Sequence, residues 1–384
     1  AGYAFISYQT AYLKANYLPE FLTACLNLDI NDQNKINMFA QEAHNNEIAV
    51  LPPDVNKAKS SFVIKKITAK KHIVFGLAAI KSISHNLGKA VELECEKRPF
   101  SNIFDFVERI PMRLLNKRAL EHMILAGCFS NLHINSRQLI ENLDLIMAYG
   151  SLSEQEKNSN QFSLIPLALN LPKMKEVGED FSKTIKCENE FDLLGVFLTY
   201  HPMQNYRDSI NKMAIYNSKK LELLRRGTSN IKIAGIIQKK DIRMSEKGVF
   251  VSLQLSDEMG VFDVTIFSDK IFQNYSNLIE VKKRVLLTCE VYKDDTSARL
   301  SVVDMEDLDE FAFKSAIANI NLKIDSEESF NKITSFLKSK ELQGSQLLNI
   351  SLLLQLENTP FVAKLTIVGS FNLDLADIKI LENM

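Results

Sequence analysis

Very few residues of this chain are spaced for catalysis. His44 and Glu47 stand three apart and would share a helix face, as two metal ligands must, but no third ligand accompanies them. Asp307 and Asp309, separated by one residue, have the chemistry to hold Mg²⁺ for phosphoryl transfer. They fall in an acidic run, DMEDLDE (304–310), that reads as a solvated exit loop with no strand to fix them. No phosphate-cradling glycine-rich loop, no GxSxG and no HExxH occurs. The residues assemble no catalytic constellation.

Chemistry for gripping phosphates and bases is better represented. GLAAIKSISHNLGKAVEL (76–93) reads as an apolar helix, Lys81, a tight turn and a second helix beginning near Leu87. That is the layout of a hairpin that aims turn N–H groups and a helix N-terminus at a phosphate. Such a turn favours glycines, which reach positive φ freely, and here it reads Ser82-Ile83-Ser84. The candidate contacts are Lys81, Ser82, Ser84 and Lys89, and the same spacing also suits plain helix packing. LEHMILAGCFSNLHINSRQL (120–139) repeats the layout with Gly127 in its turn.

A second candidate surface gathers Lys232, Lys239, Lys240, Arg243, Lys247 and Arg299 with Phe250. An aromatic beside cations on a β-sheet face stacks single-stranded bases. An ordinary charged sheet face has the same composition.

The elements that must position these residues follow from periodicity. Residues 3–47 predict helices, with Phe5, Tyr8, Tyr12 and Tyr17 at near-helical spacing and Pro19 in the first turn of a second helix. VLPPDVN (50–56) stops any helix. SSFVIKKI and KHIVFGL predict two short strands joined by a turn rich in lysine, with Lys65, Lys66, Lys70 and Lys71. Helices resume to Gly150, with Asn116 capping KRALEHMILAG and RQLIENLDLIMAYG forming the next one. Residues 150–190 read as mostly loop, and ENEFDLLGVFLTYHP as a helix ending before Pro202.

From residue 231 to 304 the pattern alternates. IKIAGIIQKK, VFVSLQLS, VFDVTIF, RVLLTCEVY and ARLSVVD predict five strands, with a helix after the third and a bulge at Gly235. That is the order of an OB-type barrel. Beyond the acidic run comes strand, helix, strand, strand. The fold class is multidomain α+β: a helical region with tandem helix-hairpin-helix elements, a five-stranded OB-type β-barrel, then a small α/β domain.

The chain has 384 residues, a net charge of −1 and five widely spaced cysteines without CxxC. The totals indicate a globular protein of a reducing, cytoplasmic compartment, whose nucleic-acid contacts are local patches. No apolar run approaches the roughly 20 residues of a membrane span. The abrupt opening, AGYAFISYQT, reads as the start of a piece of a longer chain.

Six blocks in one order carry a resemblance: AGYAFISYQTAYLKANYLPEF, VLPPDVN, IVFGLAAIKSI, LNKRALEHMILAGCFSNL, LLGVFLTYHP and IAGIIQKKDIRMSEKG with VTIFSD. Together they resemble the C-terminal part of the bacterial replicative DNA polymerase III alpha subunit, across nearly all 384 residues and most weakly after about residue 310. The resemblance implies the end of the fingers at 1–47, a clamp-binding domain at 48–210, an OB domain at 211–310 and a tau-binding domain at 311–384. It implies partners: the beta sliding clamp, the tau subunit of the clamp loader, primer-template, single-stranded DNA and the rest of the polymerase core. The palm carboxylates that hold Mg²⁺ lie upstream in the family, so this piece implies no cofactor of its own and no activity alone. Family members usually carry glycines where this chain has Ser82 and Ser84, and often glycine where it has Tyr200. The alternatives are a stand-alone OB and helix-hairpin-helix adaptor with no polymerase attached, or a tRNA-binding accessory domain.

The resemblance also gives SNQFSLIP (159–166) a role. The family's internal clamp-binding motif is a glutamine, two variable positions, Leu or Met, then a large apolar residue. Gln161, Phe162, Ser163, Leu164 and Ile165 match it, with Ile165 where Phe or Leu is commoner. From the residues alone, the same apolar side chains could pack back on their own domain.

Overall fold

The computed structural model describes residues 2–68, 70–133, 135–158, 171–213, 215–221, 223–224, 227–245, 248–294, 298–317, 321–324, 327–339, 347–355 and 362–370. Contacts divide the chain into two compact units, Ala1–Pro202 and Met203–Met384. No helix among the described residues is long and apolar enough to cross a membrane.

The first unit opens with α1 (Gly2–Asn16), α2 (Leu18–Leu28) and α3 (Gln33–Asn45). Proline stands at the start of α2, where its missing N–H costs no bond, and Asp32 caps α3 by accepting from the Asn34 and Lys35 N–H groups. Tyr8, Tyr12 and Tyr17 form a ladder with ring centroids 6.4 and 6.5 Å apart, and with Phe5 they lie exposed. A small sheet follows, ordered β1 (Val50–Leu51), β3 (Lys70–Val74), β2 (Val63–Ile67). The lysine-rich hairpin is the expected one; the two-residue β1 gave no sequence signal.

Then come α4 (His85–Lys97), α5 (Ile103–Arg109), α6 (Lys117–Leu125), α7 (Ser136–Glu141), α8 (Leu143–Asn158) and α9 (Lys183–Leu194). Ser84, Asn102, Asn116, Asn135 and Ser182 cap five of them by accepting a first-turn N–H. Gly127, at φ +81°, follows the C-cap of α6 and ends the helix in a left-handed turn.

Three expectations are corrected here. RQLIENLDLIMAYG is broken at Asn142, whose buried amide turns outward to bond Lys175 in both directions. Residues 150–158 are helical, because Glu, Gln and Lys simply extend the polar face of α8. α9 ends at Gly195 (φ +75°), and the Glu190 carboxylate takes the N–H groups of Leu198 and Thr199, so VFLTY leaves the helix.

One core binds this unit from Leu22 on α2 to Val196 and is continuous across residue 47. Its centre is aromatic: Phe62 meets Phe75 edge-on at 4.8 Å, and Phe106 meets both Phe100 and Phe129 at 5.0 Å. Beside it, Asp105 receives both guanidinium nitrogens of Arg98 at 2.7 and 3.0 Å and the Ser101 N–H at 3.0 Å. Burial resists ionisation of Asp105, but the Ser101 N–H and the Arg98 guanidinium outweigh it and hold its carboxyl below the usual aspartate range.

In the second unit, α10 (Arg207–Lys212) and α11 (Ser218–Leu221) precede the barrel strands β4 (Gly227–Ser245), β5 (Gly248–Ser256) and β6 (Val261–Ile266). α12 (Asp269–Asn274), β7 (Arg284–Lys293) and β8 (Ala298–Asp307) complete it. The barrel is closed in the order β4-β5-β6-β8-β7, with β6 and β8 parallel, the expected OB-type topology. The bulge expected at Gly235 lies elsewhere: Gly235 pairs in register with Val285, and the irregularity falls between Ile237 and Lys239. Gly235 answers a close approach instead, since a Cβ there would come within 3.0 Å of the Phe262 ring.

The acidic run is no loop. Asp304–Asp307 finish β8, and the Asp307 carboxylate caps α13 (Leu308–Ile317) by accepting from Asp309 and Glu310. Asp309 accepts from the Tyr206 hydroxyl and from Arg284 at 3.1 Å. β9 (Asn321–Ile324), α14 (Glu327–Ser339), β10 (Leu347–Gln355) and β11 (Val362–Ser370) then give the expected strand, helix, strand, strand. They build a three-stranded sheet ordered β11-β10-β9.

Asp105 sets a pH expectation. A carboxyl held below its unfolded pKa adds stability above about pH 4 and loses it as pH falls through the folded value. Asp105→Asn should cost about 1–2 kcal/mol at neutral pH, discounted because Arg98 is largely exposed. Urea unfolding of wild type and variant should show that gap closing below about pH 4.

Candidate nucleic-acid interfaces

The first candidate is built where β3 runs into a turn. Gly76 permits the passage, since a Cβ there would lie 2.6 Å from the Ser61 backbone. The apolar helix expected after it is one 3₁₀ turn, Leu77–Ala79, because the Leu77 and Ala78 N–H groups donate to Lys59 and Ser60 instead. Ile80 and Ile83 are buried and anchor the turn from below. The Lys81 N–H donates to the Leu193 carbonyl, and the His122 ring donates to the Lys81 carbonyl at 2.8 Å. The Lys81 side chain is left exposed on a fixed backbone.

Ser82 follows at φ +69°, the left-handed conformation that a glycine adopts without penalty. The Ser84 hydroxyl accepts from the Leu87 N–H, so it caps α4. Lys81, Ser82 and Ser84 therefore share one exposed turn at the N-terminus of a 13-residue helix, whose dipole favours an anion. Lys89 lies a turn further on, its ammonium 2.9 Å from Glu92.

The second hairpin joins α6 to α7 through Gly127, whose carbonyl accepts from the N–H and hydroxyl of Ser130. Beside it is a cavity of about 480 Å³ lined by Lys57, Gly127, Ser130, Asn131, Lys186 and Glu190. Burial pushes the Glu190 carboxyl up, against the pull of its bonds to Thr199 and Leu198.

On the barrel, register decides which side chains meet. Lys239, Asp241 and Arg243 stand opposite Gln254, Ser252 and Phe250 on the outer face. The bulge puts Lys240 in phase with Leu253, and its ammonium is drawn to Glu280 at 2.7 Å. Lys232 bridges to Glu306 at 3.8 Å and lies over the Phe311 ring at 5.8 Å, beside α13. Arg299 stands on β8 opposite Tyr292. The structure thus gathers Lys239, Arg243 and Phe250, and sets Lys232, Lys240 and Arg299 elsewhere.

It adds Phe267, which packs edge-on against Phe250 with centroids 5.5 Å apart, and both rings are exposed. The alternation of VFDVTIF, carried one residue past β6, already puts Phe267 on the side of Asp263 and Thr265. Arg243 is paired with Asp241 at 2.8 Å, so the face is mixed in charge. Lys247 and the motif Gln161–Ile165 lie outside the described residues. Among the described residues, no group of three His, Cys, Asp or Glu side chains could hold a metal ion.

Residues 47–139 match the family model described as a helix-hairpin-helix motif. With the closed five-stranded barrel, that match defines the class: a helix-hairpin-helix module joined to an OB-type barrel. Within that class, the chain is a homologue of the DNA polymerase III alpha subunit. It is 36% identical over 421 residues to that of Rickettsia prowazekii (strain Madrid E), covering 99% of this chain and 35% of the relative. The Rickettsia bellii (strain RML369-C) subunit is 36% identical over 409 residues, again 99% of this chain and 35% of the relative. That of Caulobacter vibrioides (strain NA1000 / CB15N) is 27% identical over 329 residues, 84% of this chain and 28% of the relative. The chain therefore spans about a third of the length of these relatives. One-fifth of it also aligns with the S. cerevisiae mitochondrial single-stranded DNA-binding protein Rim1, at 14% identity and a TM-score of 0.19 over 93% of that chain, an overlap too slight to weigh.

The turn geometry makes one prediction. Ser82→Gly removes the left-handed penalty and should raise stability by about 0.5–1 kcal/mol in urea unfolding. A loss instead would mean that the serine side chain supports the turn.

Proposed function

We propose that this chain is the C-terminal part of a replicative DNA polymerase III alpha subunit, cytoplasmic, tethering the polymerase to its clamp and handling template. The end-to-end homology over 99% of the chain is the observation that carries this reading. On it, residues 1–47 close the fingers, 48–210 bind the beta clamp, 211–310 handle single-stranded template and 311–384 dock tau. The catalytic carboxylates and their Mg²⁺ belong to the palm of the parent polypeptide, and this piece alone is inactive. It serves a core that adds deoxynucleotides to a primer 3′ end.

Clamp binding by Gln161–Ile165 follows the physics of a short peptide. Gln161 donates and accepts at a pocket rim, while Leu164 and Ile165 each bury about 1.5–3 kcal/mol of apolar surface. Ordering the segment consumes much of that, leaving a contact of about micromolar strength. Primer-template threaded through the ring raises the effective concentration and makes weak binding sufficient. Replacing Gln161, Leu164 and Ile165 together by Ala should abolish clamp pull-down and leave circular dichroism unchanged. Retained pull-down would overturn the assignment.

Single-strand handling is supported by the exposed Phe250–Phe267 pair beside Lys239 and Arg243. Phe250→Ala and Phe267→Ala should each weaken binding of an oligothymidine by about 1–3 kcal/mol in fluorescence titration. Unchanged affinity in both variants would remove the barrel's outer face from the reading.

A further inference from the structure

The lysine-rich hairpin of β2 and β3 supplies none of the contact residues assigned above. Lys65, Lys66, Lys70 and Lys71 fall within seven residues of a chain whose net charge is −1. All four are exposed, and they crowd the tip of a two-stranded ribbon. Register places Lys65 opposite His72, Lys66 opposite Lys71 and Ile67 opposite Lys70. Like charges directly opposite one another destabilise a strand pair unless a counter-charge offsets one of them, and Lys66 faces Lys71. Glu20 neutralises Lys71. Among the described residues, Lys65, Lys66 and Lys70 form no ion pair. β2 is also an edge strand, and from the ribbon β3 leads directly into the turn that carries Lys81.

We infer that this ribbon is a second phosphate-backbone contact of the helical unit, gripping duplex DNA through Lys65, Lys66 and Lys70. The inference rests on the reading of the chain as a DNA-handling piece of a polymerase. Charge complementarity selects the occupant. Ammonium groups on flexible stems are point charges that meet phosphates without reading sequence, and three of them lack a counter-charge among the described residues. The contact is independent of the 76–93 hairpin, since no residue of the ribbon takes part in that turn.

The test compares the wild-type chain with Lys65→Gln/Lys66→Gln/Lys70→Gln and with the matching triple Lys→Arg variant. Binding of a mixed-sequence DNA duplex is followed by fluorescence anisotropy across a KCl series. Each phosphate contact contributes about 0.9 to the slope of log K against log salt, so the Gln variant should be shallower by about 2.7. The Arg variant should keep the wild-type slope, and oligothymidine binding should not change in either. Circular dichroism and thermal melting of each variant establish that the fold is retained. A wild-type slope in the folded Gln variant overturns the inference while leaving duplex binding by the chain intact. Self-association of the Gln variant without a change in slope also overturns it, marking the lysines as guards of an edge strand. If the wild-type chain binds no duplex at any salt, the DNA reading of the helical unit falls and the ribbon falls with it.

Discussion

Closure of the barrel constrains everything that the second unit can present. With β4 paired to both β5 and β7, each side chain is committed inward or outward, and the inward set is apolar: Ile231, Ile233, Val251, Leu253, Leu287 and Val291. Outward positions are what remains for contacts. The bulge after Ile237 moves the boundary within one strand, which is why Lys239 and Arg243 share the face of Phe250 and Lys240 does not. Because both strands beneath it are held in the barrel ladder, the Phe250–Phe267 pair is offered on a rigid base, and ordering it for a ligand costs little.

The first unit reaches a similar end by different means. Its phenylalanine cluster and asparagine and serine caps fix helices, and the helices fix turns. The turn at 80–84 is held from below by Ile80 and Ile83 and from the sides by Leu193 and His122. What protrudes is Lys81 and a run of backbone at a helix N-terminus. Sequence-independent contact with a phosphate requires that combination and little else.

Much of this was legible in the residues. Strict alternation marked the five barrel strands, and Asn116 marked its helix, because both signals are local and physical. Errors came where a distant partner decides. Gly235 is the residue that reads as a bulge, and only the register with the neighbouring strand places the irregularity after Ile237 instead. DMEDLDE reads as solvated by its charge, whereas its alternation sends Met305 into the barrel and Asp307 turns back to cap a helix. α9 carried its stop at Gly195 in plain view, but VFL after it mimicked a continuing apolar stripe. Within the site, Phe267 was recoverable by counting parity one residue further. The separation of Lys240 from Lys239 was not, since it depends on the bulge. Nor was the backbone sign at Ser82, which a serine does not announce.

The 19 residues of β4 carry one more implication, for the order in which the barrel assembles. The half of β4 beyond Ile236 pairs with β5, its immediate successor, and β5 pairs in turn with β6, so this meander can zip from its turns at small entropic cost. The earlier half waits for β7, whose partners lie roughly 50–65 positions away along the chain. The aromatic face is thus borne by the locally paired meander, and the seam between β4 and β7 closes the longest loop of the barrel.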